Sequence, residues 1–94
     1  MLIPTVHLNG TGGEQLLEQY QTALEAVGTA LEALCNAGPN SRDYYVQSAD
    51  AGLAAQREHE ARVKSLRQVR EDLMTIRDGI QDQLDERDAR RRAR

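Results

Sequence analysis

The stretch Leu16–Leu34, LLEQYQTALEAVGTALEAL, decides the architecture of this chain. Leu17, Tyr20, Leu24, Val27, Leu31 and Leu34 recur at a 3-4-3-4-3 spacing, the seam of a coiled coil. Leu16, Ala23, Ala30 and Ala37 lie beside that seam, and Ala26 and Ala33 widen it. Glu18, Glu25 and Glu32 recur every seven residues on the opposite side. The apolar arc covers roughly half the circumference, more than a single partner helix needs. The pattern predicts a helix that touches at least two neighbours.

Upstream, Thr11-Gly12-Gly13-Glu14 fits a capping box, with Thr11 as N-cap and Glu14 three residues later. Downstream, Gly38 is expected to supply a left-handed stop and Pro39 to prevent continuation, giving a first helix over 12–37. Residues 1–10 read as an extended arm, because Leu2, Pro4, Val6 and Leu8 alternate with Ile3, Thr5, His7 and Asn9. A lone strand is not stable in water. The arm must lie on the helices or pair with another subunit.

The second helix is expected over 49–88, after a loop at 38–48 and before a basic tail at 89–94. Leu66, Val69, Leu73, Ile76, Ile80 and Leu84 carry its seam. Glu58 with Arg62, Glu60 with Lys64, and Arg67 with Glu71 stand four apart and support its exposed face. At 1.5 Å per residue this helix is about 55–60 Å long against about 38 Å for the first, so its C-terminal third should overhang. Ile76, Ile80 and Leu84 would then need the arm or another subunit as cover. The fold class is all-α: an antiparallel helical hairpin with an extended N-terminal arm, one domain over 1–94, in a homo-oligomeric helical bundle.

Composition supports assembly. The chain has 94 residues, no Trp, no Phe and three Tyr, so Ala and Leu must do most of the packing. A chain of this size buries a modest core alone. Charge is segregated: residues 1–41 hold four Glu and no Lys or Arg, whereas residues 87–94 hold five Arg and one Asp. One cysteine, Cys35, excludes an intrachain disulfide and fits a reducing compartment. No signal peptide or membrane-length apolar run is visible, so a cytoplasmic location and no membrane partner are expected.

The break between the helices holds the candidate site. Pro39-Asn40-Ser41-Arg42-Asp43-Tyr44-Tyr45 places two aromatic residues side by side, next to the only basic residue before Arg57. A loop that merely turns the chain would use Gly, Pro and Asn. Tyrosine offers a flat face and a hydroxyl, and arginine a planar fork that suits phosphate or carboxylate. His59 and Arg62 occupy positions where the seam of the second helix, continued backwards, would want apolar residues. Reflected about the loop they fall opposite Gly28. Either the seam shifts to Val63 and both face water, or they close a polar pocket near the loop. The candidate ligand-binding set is therefore Asn40, Arg42, Asp43, Tyr44, Tyr45, His59 and Arg62. Equally, Tyr44 and Tyr45 could plug the open end of the hairpin while Arg42 pairs with Asp43 or a helix end.

Catalytic and metal signals are weak. His7 and His59 lack ligand partners at metal spacing, and Glu58-His59-Glu60 points three ways on a helix. Gly10-Thr11-Gly12-Gly13 lacks the lysine and the core strand of a phosphate loop. The arginine tail could touch nucleic acid, but it has no interleaved aromatics, and complementing the helix dipole explains it more simply. No catalytic residue, metal site or cofactor is assigned, and the chain is read as non-enzymatic.

Val6-His7-Leu8-Asn9-Gly10-Thr11 before the first helix, with Pro39-Asn40-Ser41-Arg42-Asp43-Tyr44-Tyr45-Val46-Gln47 before the second, resembles a family of short helical proteins encoded in tailed phages and prophages. The resemblance runs from about Thr5 to Ile80. It implies an origin in a bacterial host cell more than an activity. By analogy with small helical phage proteins, it points to a homo-oligomer that sequesters a phosphate-bearing nucleotide signal of host defence. The alternative is a structural or interaction protein, either a virion component or an inhibitor of a host protein.

Overall fold

A computed structural model describes residues 1–93. Among them are two α-helices and no strand: α1, Gly13–Asn36, and α2, Ala51–Arg92, joined through a short 3-10 helix, Ser41–Asp43. A Cβ built on Gly13 would meet Leu84, and one built on Gly38 would meet His59. Both pairs of residue numbers sum to 97, so the helices run antiparallel in one register as a hairpin. The molecule measures 71 × 22 × 21 Å with a radius of gyration of 20.2 Å. A compact chain of this length would have a radius near 12 Å, so the hairpin is a rod.

The register differs from the reflection drawn about the loop. His59 lies by Gly38, not Gly28. The linker 37–50 is not a tight turn; its 3-10 helix lies back against the start of α2, where Ser41 is close to Gly52. Ten residues of α2, 51–60, therefore run past the end of α1, and eight, 85–92, past its start. The overhang is split between the two ends. Ile80 and Leu84, expected to project beyond α1, are instead buried, and Leu84 packs on Gly13.

Burial redraws the α2 seam. His59, Val63, Leu66, Arg70, Leu73, Arg77, Ile80, Leu84 and Arg87 are all buried or half-buried and follow a 4-3-4-3-4-3-4-3 spacing. Val69, expected on the seam, is 45% exposed. A strict heptad thus places arginine at 70 and 77, where the apolar stem can cover a neighbour while the guanidinium reaches water. Of the six expected seam residues Val69 alone is exposed, while Ile76 stays half-buried beside Arg77.

The helix ends also depart from their signals. The N-cap of α1 is Gly12, not Thr11, and no side chain caps it, so the capping box does not form. Packing fixes this start: a Cβ on Gly13 would lie 2.5 Å from Leu84 Cδ2 and 3.1 Å from Val6 Cγ1. Gly38 is not left-handed, since no described glycine has positive φ. The Ala37 N–H donates to the carbonyls of Ala33 and Leu34, both at 3.1 Å. Pro39 then disfavours helical geometry at the residue before it. At the far end α2 continues to Arg92, through most of what reads as a tail after Asp88. Alanine and arginine are good helix formers, and the positive charges suit a helix C-terminus. Arg90 also reaches back to Glu86 at 3.8 Å.

Residues 1–12 form neither helix nor strand but are tied to α2. The Val6 N–H donates to Gln83 Oε1 at 2.8 Å, and Gln83 Nε2 donates to the Pro4 carbonyl at 2.8 Å. Ile3 sits over Gly79, where a Cβ would lie 2.8 Å from Ile3 Cγ2. Glycine inside a helix costs about 1 kcal/mol relative to alanine; here it makes room for Ile3. No described helix is long and apolar enough to cross a membrane.

Candidate functional site

Local backbone chemistry accounts for much of the Asn40–Tyr45 loop. Asn40 Oδ1 accepts from the Arg42 N–H at 3.0 Å, and the Asn40 carbonyl accepts from the Asp43 N–H at 2.9 Å. The N–H groups of Tyr44 and Tyr45 both donate to the Ser41 carbonyl at 3.1 Å. Asn40 is thus the N-cap of the 3-10 helix. Arg42 and Asp43 are exposed, and Arg42 makes no ion pair among the described residues, so the anticipated Arg42–Asp43 pair is not formed. Tyr44 is half-buried and Tyr45 is 70% exposed, so at most Tyr44 plugs the hairpin end. Tyr45, Val46 and Leu53 are all exposed at this end.

The two helical candidates separate. His59 is half-buried on the seam and lines a cavity of about 500 Å³ together with Cys35, Val63, Lys64 and Arg67. Arg62 faces water and pairs with Glu58 at 3.7 Å. Of the seven expected site residues, His59 alone lines one of the four main surface cavities. The seam therefore runs through both His59 and Val63 while Arg62 alone faces water, and the hairpin by itself does not gather the loop, His59 and Arg62 into one pocket.

The opposite end carries features that the sequence reading passed over. Two adjoining recesses flank Val6 and Arg87. One is lined by Thr5, Gln83, Arg90 and Arg91, the other by His7, Leu8 and three glycines, Gly10, Gly12 and Gly13. Arg87 contacts Glu14 at 3.5 Å across the helix pair, while its Nε is buried with no acceptor among the described residues. The signals were present as glycines at 13 and 79 and as arginines at 87, 90 and 91, but only the fold brings residues 4–6 against residue 83. Among the described residues no three His, Cys, Asp or Glu side chains gather where they could hold a metal ion. No protein-family model, curated protein or solved structure matches the chain.

Proposed function

We propose that the chain is a non-enzymatic, self-assembling helical hairpin of phage or prophage type, acting in the host cytoplasm as a structural or protein-interaction module. The observation that carries this reading is unfinished burial. Only Leu31, Val63, Ile80 and Leu84 are buried apolar side chains, while Leu16, Leu17, Tyr20, Leu24, Val27, Leu34, Leu66, Leu73 and Ile76 stay half-exposed. The accessible surface is 7229 Å². A compact monomer of this mass would expose about 5,400 Å². The excess, about 1,800 Å², is roughly twice what one partner contributes to a standard interface, about 800 Å². A second copy laid on the α1 face would form a helical bundle, and the residue 1–10 arm would then brace one end of each hairpin. Light scattering on purified protein tests this: a mass at least twice 10.5 kDa is expected, and 10.5 kDa would refute it.

One observation favours the nucleotide-sequestering reading instead. Arg42, without an ion-pair partner among the described residues, and the exposed Tyr45 stand near one another in sequence at the hairpin tip. Such a site would need a neighbouring subunit to supply its other wall. Calorimetry of the assembled protein against cyclic and ADP-ribose-type nucleotides separates the two readings. Binding lost in Arg42→Ala and Tyr45→Ala would favour the sponge.

A further inference from the structure

The end of the rod away from the loop holds a basic groove that neither reading above uses. Arg87, Arg90 and Arg91 stand at i, i+3 and i+4 and share one face of α2. Thr5 and Val6 form the opposite wall, and Gln83 closes the floor by gripping the chain on either side of Thr5. The groove has a volume of about 510 Å³, within the range that small-molecule sites occupy. The Thr5–Val6 wall is held by two 2.8 Å hydrogen bonds, while Arg90 and Arg91 on the other side are exposed and can meet a ligand.

The electrostatics point to an anion. Three guanidinium groups line the groove against one carboxylate, Glu86. Glu86 lies 3.8 Å from Arg90, with both side chains largely exposed, a weak pairing. Glu14 reaches Arg87 from the rim at 3.5 Å and is itself 86% exposed, so an incoming anion can displace it. Arg91 makes no ion pair among the described residues. Arg87 Nε is buried without an acceptor among the described residues, and a buried donor left unpaired is costly. The guanidinium fork matches two oxygens of a phosphate group, which a lysine cannot do.

We infer that this groove binds a small molecule carrying two linked phosphate groups. Two negative centres fit the surplus of two arginines over Glu86. The adjoining recess by Gly10, Gly12 and Gly13, which shares Val6 and Arg87, leaves room for the remainder of the molecule.

Inorganic pyrophosphate is the minimal probe, titrated calorimetrically into the full chain at about 0.1 M salt, where screening of exposed charges is already substantial. Saturable binding is expected. Arg91→Ala and Arg87→Ala should each weaken it about tenfold or more, the loss of a charge-assisted bond. Arg57→Ala, at the other end of the rod, should leave it unchanged. Arg91 is exposed, so its variant stays informative even if Arg87→Ala fails to fold. No saturable heat at millimolar pyrophosphate would overturn the assignment, as would Arg91→Ala binding like the parent. Duplex DNA binding more tightly than pyrophosphate, with Arg57→Ala and Arg91→Ala weakening both alike, would show a diffuse nucleic-acid surface and overturn it too.

Discussion

The two ends of the rod differ in how they are built. At the loop end, the hydrogen bonds that shape Asn40–Tyr45 span only two to four residues, and Arg42, Asp43 and Tyr45 face water. At the other end, Val6 and Pro4 are tied to Gln83 across 77 and 79 positions, and Gly13 admits Leu84. The conspicuous sequence lies at the first end and the long-range construction at the second. A cluster of unusual residues is thus no guide to where a chain makes its built surfaces. Aromatic and basic residues in a turn stand out because their neighbours are local. A glutamine and two glycines become informative only once a fold sets them against a distant segment.

The largest effect expected from this contrast is at Ile80, which is fully buried. Ile80→Ala should cost about 2–5 kcal/mol, the range for truncating a buried aliphatic side chain. Leu53→Ala, at the loop end where Leu53 is 56% exposed, should cost under about 0.5 kcal/mol. Denaturant melts at one fixed protein concentration would measure both. Equal losses would mean that the loop end is packed in the assembled protein.

Next in size are the substitutions that test the long-range ties themselves. Gln83→Ala removes both bonds to the N-terminal segment and should cost about 1–3 kcal/mol at about 0.5–1.5 kcal/mol per bond. Amide exchange at Val6 should accelerate in the same variant, because its N–H loses its acceptor. Gly13→Ala should cost about 1–3 kcal/mol by overpacking, since the new methyl would meet Leu84 Cδ2 at 2.5 Å. A neutral Gly13→Ala would show that the Leu84 side chain swings aside freely.

Gly28 tests the open face between the two ends. It is half-buried, and a Cβ there would meet nothing within 4 Å. In an isolated hairpin Gly28→Ala should therefore stabilise by about 0.5–1 kcal/mol, the helix propensity gained. A copy packed closely on α1 would take that space and turn the gain into a loss. Melting the variant at several protein concentrations reads the sign directly. A stabilised variant whose midpoint does not depend on concentration would argue against assembly through this face.

The hairpin was legible in the sequence because its signals are periodic. The heptad of α1 and the proline after Gly38 define one helix, a break and a longer helix without any knowledge of contacts. The register was not legible, since it depends on how the linker folds back beside Gly52. The α2 stripe was legible at Leu66, Leu73, Ile80 and Leu84 but not at Arg70 and Arg77, whose charged ends disguise the heptad positions they occupy. The N-cap misled for a similar reason: Thr11 and Glu14 obey the local rule, but Glu14 turns to Arg87 and the helix starts where Leu84 requires Gly13. Of the seven candidate site residues, Asn40 was expected to meet a ligand and instead caps the 3-10 helix, and His59 separates from Arg62 because His59 lies on the seam and Arg62 faces water.

The smallest effects are expected at the loop tip, and they decide what the tip is for. Arg42 makes no ion pair among the described residues and Tyr45 is 70% exposed, so neither side chain gives the hairpin much to lose. Arg42→Ala and Tyr45→Ala should each change stability by less than about 0.5 kcal/mol. Asn40→Ala is the internal control, because its Oδ1 holds the Arg42 N–H and the loss of such a cap costs about 1 kcal/mol. Melts and light scattering on the three variants give three distinguishable patterns. Only Asn40→Ala destabilised, with subunit number constant, leaves Arg42 and Tyr45 free to meet a partner or ligand. Subunit number falling in Tyr45→Ala makes the tip an anchor between copies, since exposed tyrosine and arginine are typical of such contacts. Losses above about 1 kcal/mol in Arg42→Ala or Tyr45→Ala at constant subunit number would mean that the tip packs within its own hairpin, and the contrast drawn between the two ends would fail.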